Sequence, residues 1–92
     1  MANNKRSLPL PAQSEYYRAV VAVLKELEDA VSVEQMESGV AARLSLTKAA
    51  RQIPQPDDTR TKFQYDLAWS RTRLKQAGIL ENIERGLWRL TP

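Results

Sequence analysis

The twelve residues ILENIERGLWRL, Ile79–Leu90, restrict the fold of this chain more than any other stretch. Two apolar runs flank Glu84-Arg85-Gly86, and Gly86 stands where a tight hairpin wants a left-handed residue. The spacing predicts a three-residue loop, with Ile83 opposite Leu87, Asn82 opposite Trp88, Glu81 opposite Arg89 and Leu80 opposite Leu90. Side chains alternate across a strand, so Leu80, Trp88 and Leu90 share one face, assigned to the core. Ile83, Leu87, Glu81 and Arg89 share the other, where Arg89 faces Glu81 for a cross-strand ion pair. Arg85 is left at the tip.

A two-stranded ribbon does not fold alone, so the residues before it must supply a core. Helical periodicity provides three main helices. Tyr16, Val20, Val23, Leu24 and Leu27 recur on one stripe after Ser14, predicting a first helix over 14–29. A short extended piece, Ala30-Val31, follows. Ser32 and Gln35 form a capping-box pair, and Met36, Val40 and Leu44 recur every four residues, predicting a second helix over 33–44. Thr47 can cap one short turn through Lys48–Gln52, and Pro54 and Pro56 then stop any helix.

The third helix is the clearest. Asp58, Thr59 or Thr61 can cap it, and Gly78 ends it. Phe63, Leu67, Ser70, Leu74 and Ala77 form its inward stripe. Thr61, Gln64, Tyr65, Ala68, Trp69 and Thr72 lie opposite. Trp69 can stack on Tyr65 and is expected to pack beneath the 45–58 segment, because large aromatics bury most of their surface. Residues 1–13, with Pro9 and Pro11, read as a disordered leader to a domain spanning 14–92. The sum is an α+β, mostly helical chain: a winged helix-turn-helix with three main helices and a C-terminal β-hairpin wing.

Composition excludes several functions. The 92 residues contain no cysteine and no histidine, so thiol chemistry, the usual zinc ligands and the commonest general base are absent. No nucleophile–base pair is visible, and no cofactor is implied. The longest apolar run, Ala19 to Leu24, cannot span a bilayer, and the start lacks a signal-peptide pattern, which makes a cytoplasmic protein the default. Charge is uneven: residues 12–45 carry a net −3 and residues 60–92 a net +4. A one-sided basic field favours a polyanion, here double-stranded DNA.

The segment Trp69–Thr91, WSRTRLKQAGILENIERGLWRLT, resembles the N-terminal domain of Mrr-type restriction proteins. Trp69, Arg71, Thr72, Leu74, Lys75, Ala77, Gly78, Leu80, Arg85, Gly86, Trp88, Leu90 and Thr91 fit that pattern; Ser70 and Ile79 are mild departures. The resemblance implies a DNA-binding winged helix that directs a C-terminal nuclease domain to modified, typically methylated, DNA. The nuclease motif, an acid followed by Glu, Asp or Gln two residues before a lysine, occurs at no lysine here. A non-catalytic targeting domain is therefore expected.

On this reading Arg60, Thr61, Lys62, Gln64 and Tyr65 open the recognition helix and face the major groove, with Gln64 suited to adenine and arginine to guanine. Lys62, Arg60 and Arg71 can hold phosphates, and Arg85 can reach a minor groove or a phosphate. Two rivals share the fold: a free-standing transcription regulator, and a protein-interaction domain using the Tyr65/Trp69 face or the acidic face of the first helix.

Overall fold

The computed structural model describes residues 10–92. The elements run α1 (Gln13–Leu27), β1 (Val31–Ser32), α2 (Val33–Arg43), α3 (Lys48–Arg51), α4 (Lys62–Gln76), β2 (Leu80–Glu84) and β3 (Leu87–Leu90). The predicted third helix is α4, because the short turn capped by Thr47 forms a helix of its own. This is the α+β winged-helix layout expected from the sequence. Most of the predicted leader lies outside the described residues; at its end, Leu10 packs against the core and Gln13 already belongs to α1.

Local chemistry sets most boundaries. Ser32 and Gln35 close a capping box on α2, Thr61 and Gln64 close another on α4, and Thr47 Oγ1 accepts the Ala50 N–H on α3. Each satisfies donors that the first turn of a helix leaves free. Helix α1 begins at Gln13, not Ser14, and its N-cap Ala12 offers no side-chain bond. It ends earlier than predicted, where Glu28 turns left-handed (φ 57°) and donates its N–H to Leu24 O. Of the three candidate caps for α4, Thr61 is used and Asp58 is not.

The core joins α1, α2, α4 and the sheet. Tyr16, Val20, Val23 and Leu24 of α1 meet Met36 and Val40 of α2, Phe63, Leu67 and Leu74 of α4, and Leu80 of β2. Trp88 and Leu90 pack against this cluster half-buried, on the face predicted for them. Helices α1 and α2 approach closely at Gly39, where a Cβ would lie 2.9 Å from Val23 Cγ1. Ser70 is fully buried; its Oγ donates to Asp66 O (3.0 Å) and accepts from Gln13 Nε2 (2.6 Å).

Two predicted core positions are exposed. Leu27 sits in the last turn of α1, past the end of the buried stripe, and is 46% exposed. Ala77 is the C-cap of α4 and has left the helix face that points inward.

The sheet has three strands, not two. Residues Val31-Ser32 add to the hairpin edge, giving the antiparallel order β1-β3-β2 with Val31 opposite Trp88. In the hairpin, Leu80–Leu90, Glu81–Arg89 and Asn82–Trp88 pair as predicted, but Glu84, not Ile83, faces Leu87. A bulge at Ile83 takes up the extra residue and shortens the turn to Arg85-Gly86, with Gly86 at φ 78°. Asn82 Nδ2 secures this geometry by donating to Glu84 O and Leu87 O, both at 2.8 Å. Ile83 is left 44% exposed.

Candidate nucleic-acid interface

The start of α4 is held by the loop before it. Pro54 bridges to Thr61, the Lys62 N–H donates to Ile53 O (2.7 Å), and the Gln55 N–H donates to Arg60 O (3.1 Å). These bonds fold residues 53–61 back onto the N-terminal end of α4. They leave the outward side of the helix body uncovered, and Trp69 is 45% exposed there. The expected packing of Trp69 beneath the 45–58 segment is therefore wrong. Trp69 lies eight residues past Thr61, about 12 Å along the axis at ~1.5 Å per residue.

The expected contact residues fall into three groups. Thr61 and Gln64 are a reciprocal cap: Gln64 N–H donates to Thr61 Oγ1, and Thr61 N–H to Gln64 Oε1, both at 3.1 Å. Gln64 thus spends its carboxamide oxygen inside the protein, and an adenine-reading geometry needs that oxygen free. Arg60 and Lys62 each meet a carboxylate. Asp58 takes the Arg60 Nε at 2.9 Å and Nη2 at 2.7 Å, while Lys62 Nζ lies 3.3 Å from Asp66. Hydrogen bonds from Arg60 pull the Asp58 carboxyl down to about 2, and the same bonds raise the arginine.

Arg71 and Arg85 stand elsewhere. The Arg71 guanidinium lies half-buried over the Trp88 ring at 5.7 Å, with Nε and Nη1 buried and without an acceptor. Burial lowers its pKa, with Glu37 acting in the opposite sense. Such a side chain braces α4 against the sheet. Arg85 is exposed on the two-residue turn, at the opposite end of the ribbon from the Leu80–Leu90 pair. Arg89 pairs with Glu81 across the strands, as predicted.

What the structure brings together is a ladder of rings and cations along the outer face of α4. The Arg60 guanidinium covers Tyr65 at 5.3 Å, Tyr65 meets Trp69 edge-on at 6.5 Å, and Arg73 covers Trp69 at 5.6 Å. Arg60, Tyr65, Ala68, Trp69 and Thr72 line a shallow groove of about 310 Å³. Sequence reasoning placed Tyr65 and Trp69 on one face but took Trp69 as packing and did not place Arg73 beside it. The available signal was the i, i+4 spacing carried twice, Tyr65 to Trp69 to Arg73.

Among the described residues, no three His, Cys, Asp or Glu side chains gather to hold a metal ion. No helix among them is long and apolar enough to cross a membrane.

Fold and surface together define a winged-helix layout whose last helix, α4, and wing are built from one continuous C-terminal segment. Comparison with known families finds the Mrr N-terminal domain matching residues 14–92. The chain belongs to this family, the N-terminal domain of Mrr-type restriction endonucleases. No curated protein and no solved structure gave a significant match.

Proposed function

We propose that the chain is a non-catalytic DNA-targeting domain: α4 enters the major groove of duplex DNA, and the Arg85 turn of the wing meets the flanking backbone. In a restriction protein this would deliver an attached nuclease domain to its site, with methylated DNA the target that the family resemblance suggests. The observation that carries the reading is the outer face of α4. It exposes Trp69 and Thr72 beside a half-buried Tyr65 and is flanked by Arg73 and Lys75, while the helix's only carboxylate, Asp66, is paired with Lys62.

Of the expected contacts, Lys62 and Arg85 are assigned to phosphates and Arg60, Thr61, Gln64 and Tyr65 to the groove edge, while Arg71, over the Trp88 ring, supports α4 from the sheet side. For Arg60, Lys62 and Gln64 this requires exchanging an internal partner for a base or phosphate, so their contribution to affinity is the small difference between two bonds.

The test is a binding titration against duplex DNA, methylated and unmethylated, over a range of salt concentrations. Displaced counterions make log K fall with log salt at a slope of about −0.9 per neutralised phosphate. A slope of roughly −3 or steeper fits α4 and the wing both engaging the backbone. Absence of binding at low salt overturns the proposal and leaves a protein partner for the same face.

A further inference from the structure

The middle of the α4 outer face differs chemically from its start. Side chains able to read hydrogen-bond patterns cluster at the first turn, and they are occupied: Gln64 in the cap, Arg60 on Asp58, Lys62 on Asp66. Farther along, even Thr72 turns its hydroxyl inward, donating to Ala68 O at 3.2 Å. What remains along the strip is mostly carbon, the Tyr65 and Trp69 rings, the Ala68 methyl and the Thr72 methyl, with the Tyr65 hydroxyl and Trp69 indole N–H as its polar points and Arg60 at one end. These line one groove.

A strip of this kind suits either an apolar peptide or an apolar feature of DNA. Charge favours DNA. Arg73 and Lys75 border the strip and make no ion pair among the described residues, and no carboxylate lines it. Within the major groove the one apolar landmark is the methyl group on C5 of thymine, and alanine, threonine methyls and aromatic rings are the groups that contact it.

We propose that the strip Tyr65–Ala68–Trp69–Thr72 reads pyrimidine C5-methyl groups in the major groove, with thymine the source in unmodified DNA. This rests on the DNA-binding reading above. Trp69 makes the largest contact, and Arg73, stacked on its ring, fixes the indole and adds charge toward the adjacent phosphate.

Alternating duplexes test this without knowledge of a target sequence. Wild-type protein is titrated with poly(dA-dT) and poly(dA-dU), which differ only in the C5-methyl, and with poly(dG-dC) with and without 5-methylcytosine. Burying a methyl is worth roughly fourfold in affinity. The thymine duplex should bind about fourfold tighter per contacted methyl than the uracil duplex, at an unchanged salt slope.

A matching gain on methylated poly(dG-dC) supports methyl reading irrespective of the base that carries it; no gain there supports thymine as the source. Trp69→Ala, on an exposed position outside the core, should bring the thymine-to-uracil ratio close to one while keeping the salt slope. Equal affinity of wild-type protein for both duplexes, with a steep salt slope, overturns methyl reading and leaves the DNA-binding proposal standing. No binding to any duplex at low salt overturns both.

Discussion

Gly39→Ala sets two known effects against each other, and the structure decides between them. Inside α2, replacing glycine with alanine gains about 0.8–1.0 kcal/mol in helix propensity. Opposing this, the new Cβ would stand 2.9 Å from Val23 Cγ1 and 3.1 Å from Cγ2. Ordinary contact needs roughly half an ångström more. Val23 cannot easily give way, because it is 2% exposed and β-branched on a helix, with one strongly preferred rotamer. Overpacking of this kind costs about 1–3 kcal/mol.

The clash wins, and Gly39→Ala should destabilise by about 1 kcal/mol net. In urea or thermal unfolding the expected signature is a melting temperature lower by roughly 4–8 °C. A double-mutant cycle identifies the cause. In a Val23→Ala background both γ-methyls are gone, so Gly39→Ala should there stabilise by about the propensity gain. If Gly39→Ala raises the melting temperature of the otherwise wild-type chain, the close approach of α1 and α2 at this point is not real and the reasoning fails.

Three further outcomes follow from the interface and its supports. Asp58 should titrate near 2, against an ordinary 3.8, because Arg60 bonds to its ionised form; a depressed folded pKa means the ion pair is intact above about pH 4 and is lost as pH falls toward 2. Carboxyl NMR titration reads this directly, and Arg60→Ala should return the midpoint toward 3.8. Thr61→Ala should cost about 1 kcal/mol through loss of the α4 cap, and Gln64→Ala about half as much; equal or zero losses in unfolding titrations would argue against the reciprocal box. Leu67→Ala, at a fully buried position of α4, should cost about 2–5 kcal/mol, and a smaller loss would mean that the α1–α4 seam is not packed as described.

The sequence carried what is local. Ser32 with Gln35, Thr47, and Thr61 among its neighbours announce helix starts because a cap needs only residues three apart. The hairpin register was legible for three pairs, since alternation and the Glu-Arg-Gly turn lie within twelve residues. It failed at Ile83, where a shorter turn plus a bulge competes with a longer loop and no local letter separates them. The short extended piece at Ala30-Val31 was legible, but its place in the sheet was not, because Val31 meets Trp88 across most of the chain.

Trp69 marks the same limit at the functional face. Its position opposite the core stripe was readable, yet its exposure depends on where the 53–61 loop folds back, which is a tertiary fact. The partners of Arg60 and Lys62 were equally hidden. Sequence alone names them as cations, while pairing with Asp58 and Asp66 determines how much of that charge is available to DNA.

The most direct test of the central claim is a two-dimensional amide NMR titration of the isotope-labelled chain with a short DNA duplex at low salt. The account predicts shifts concentrated on the outer face of α4, from Thr61 through Thr72 and including the Trp69 indole N–H, with a second group at the Arg85-Gly86 turn. Perturbations confined to the acidic face of α1, or none at all, would contradict it.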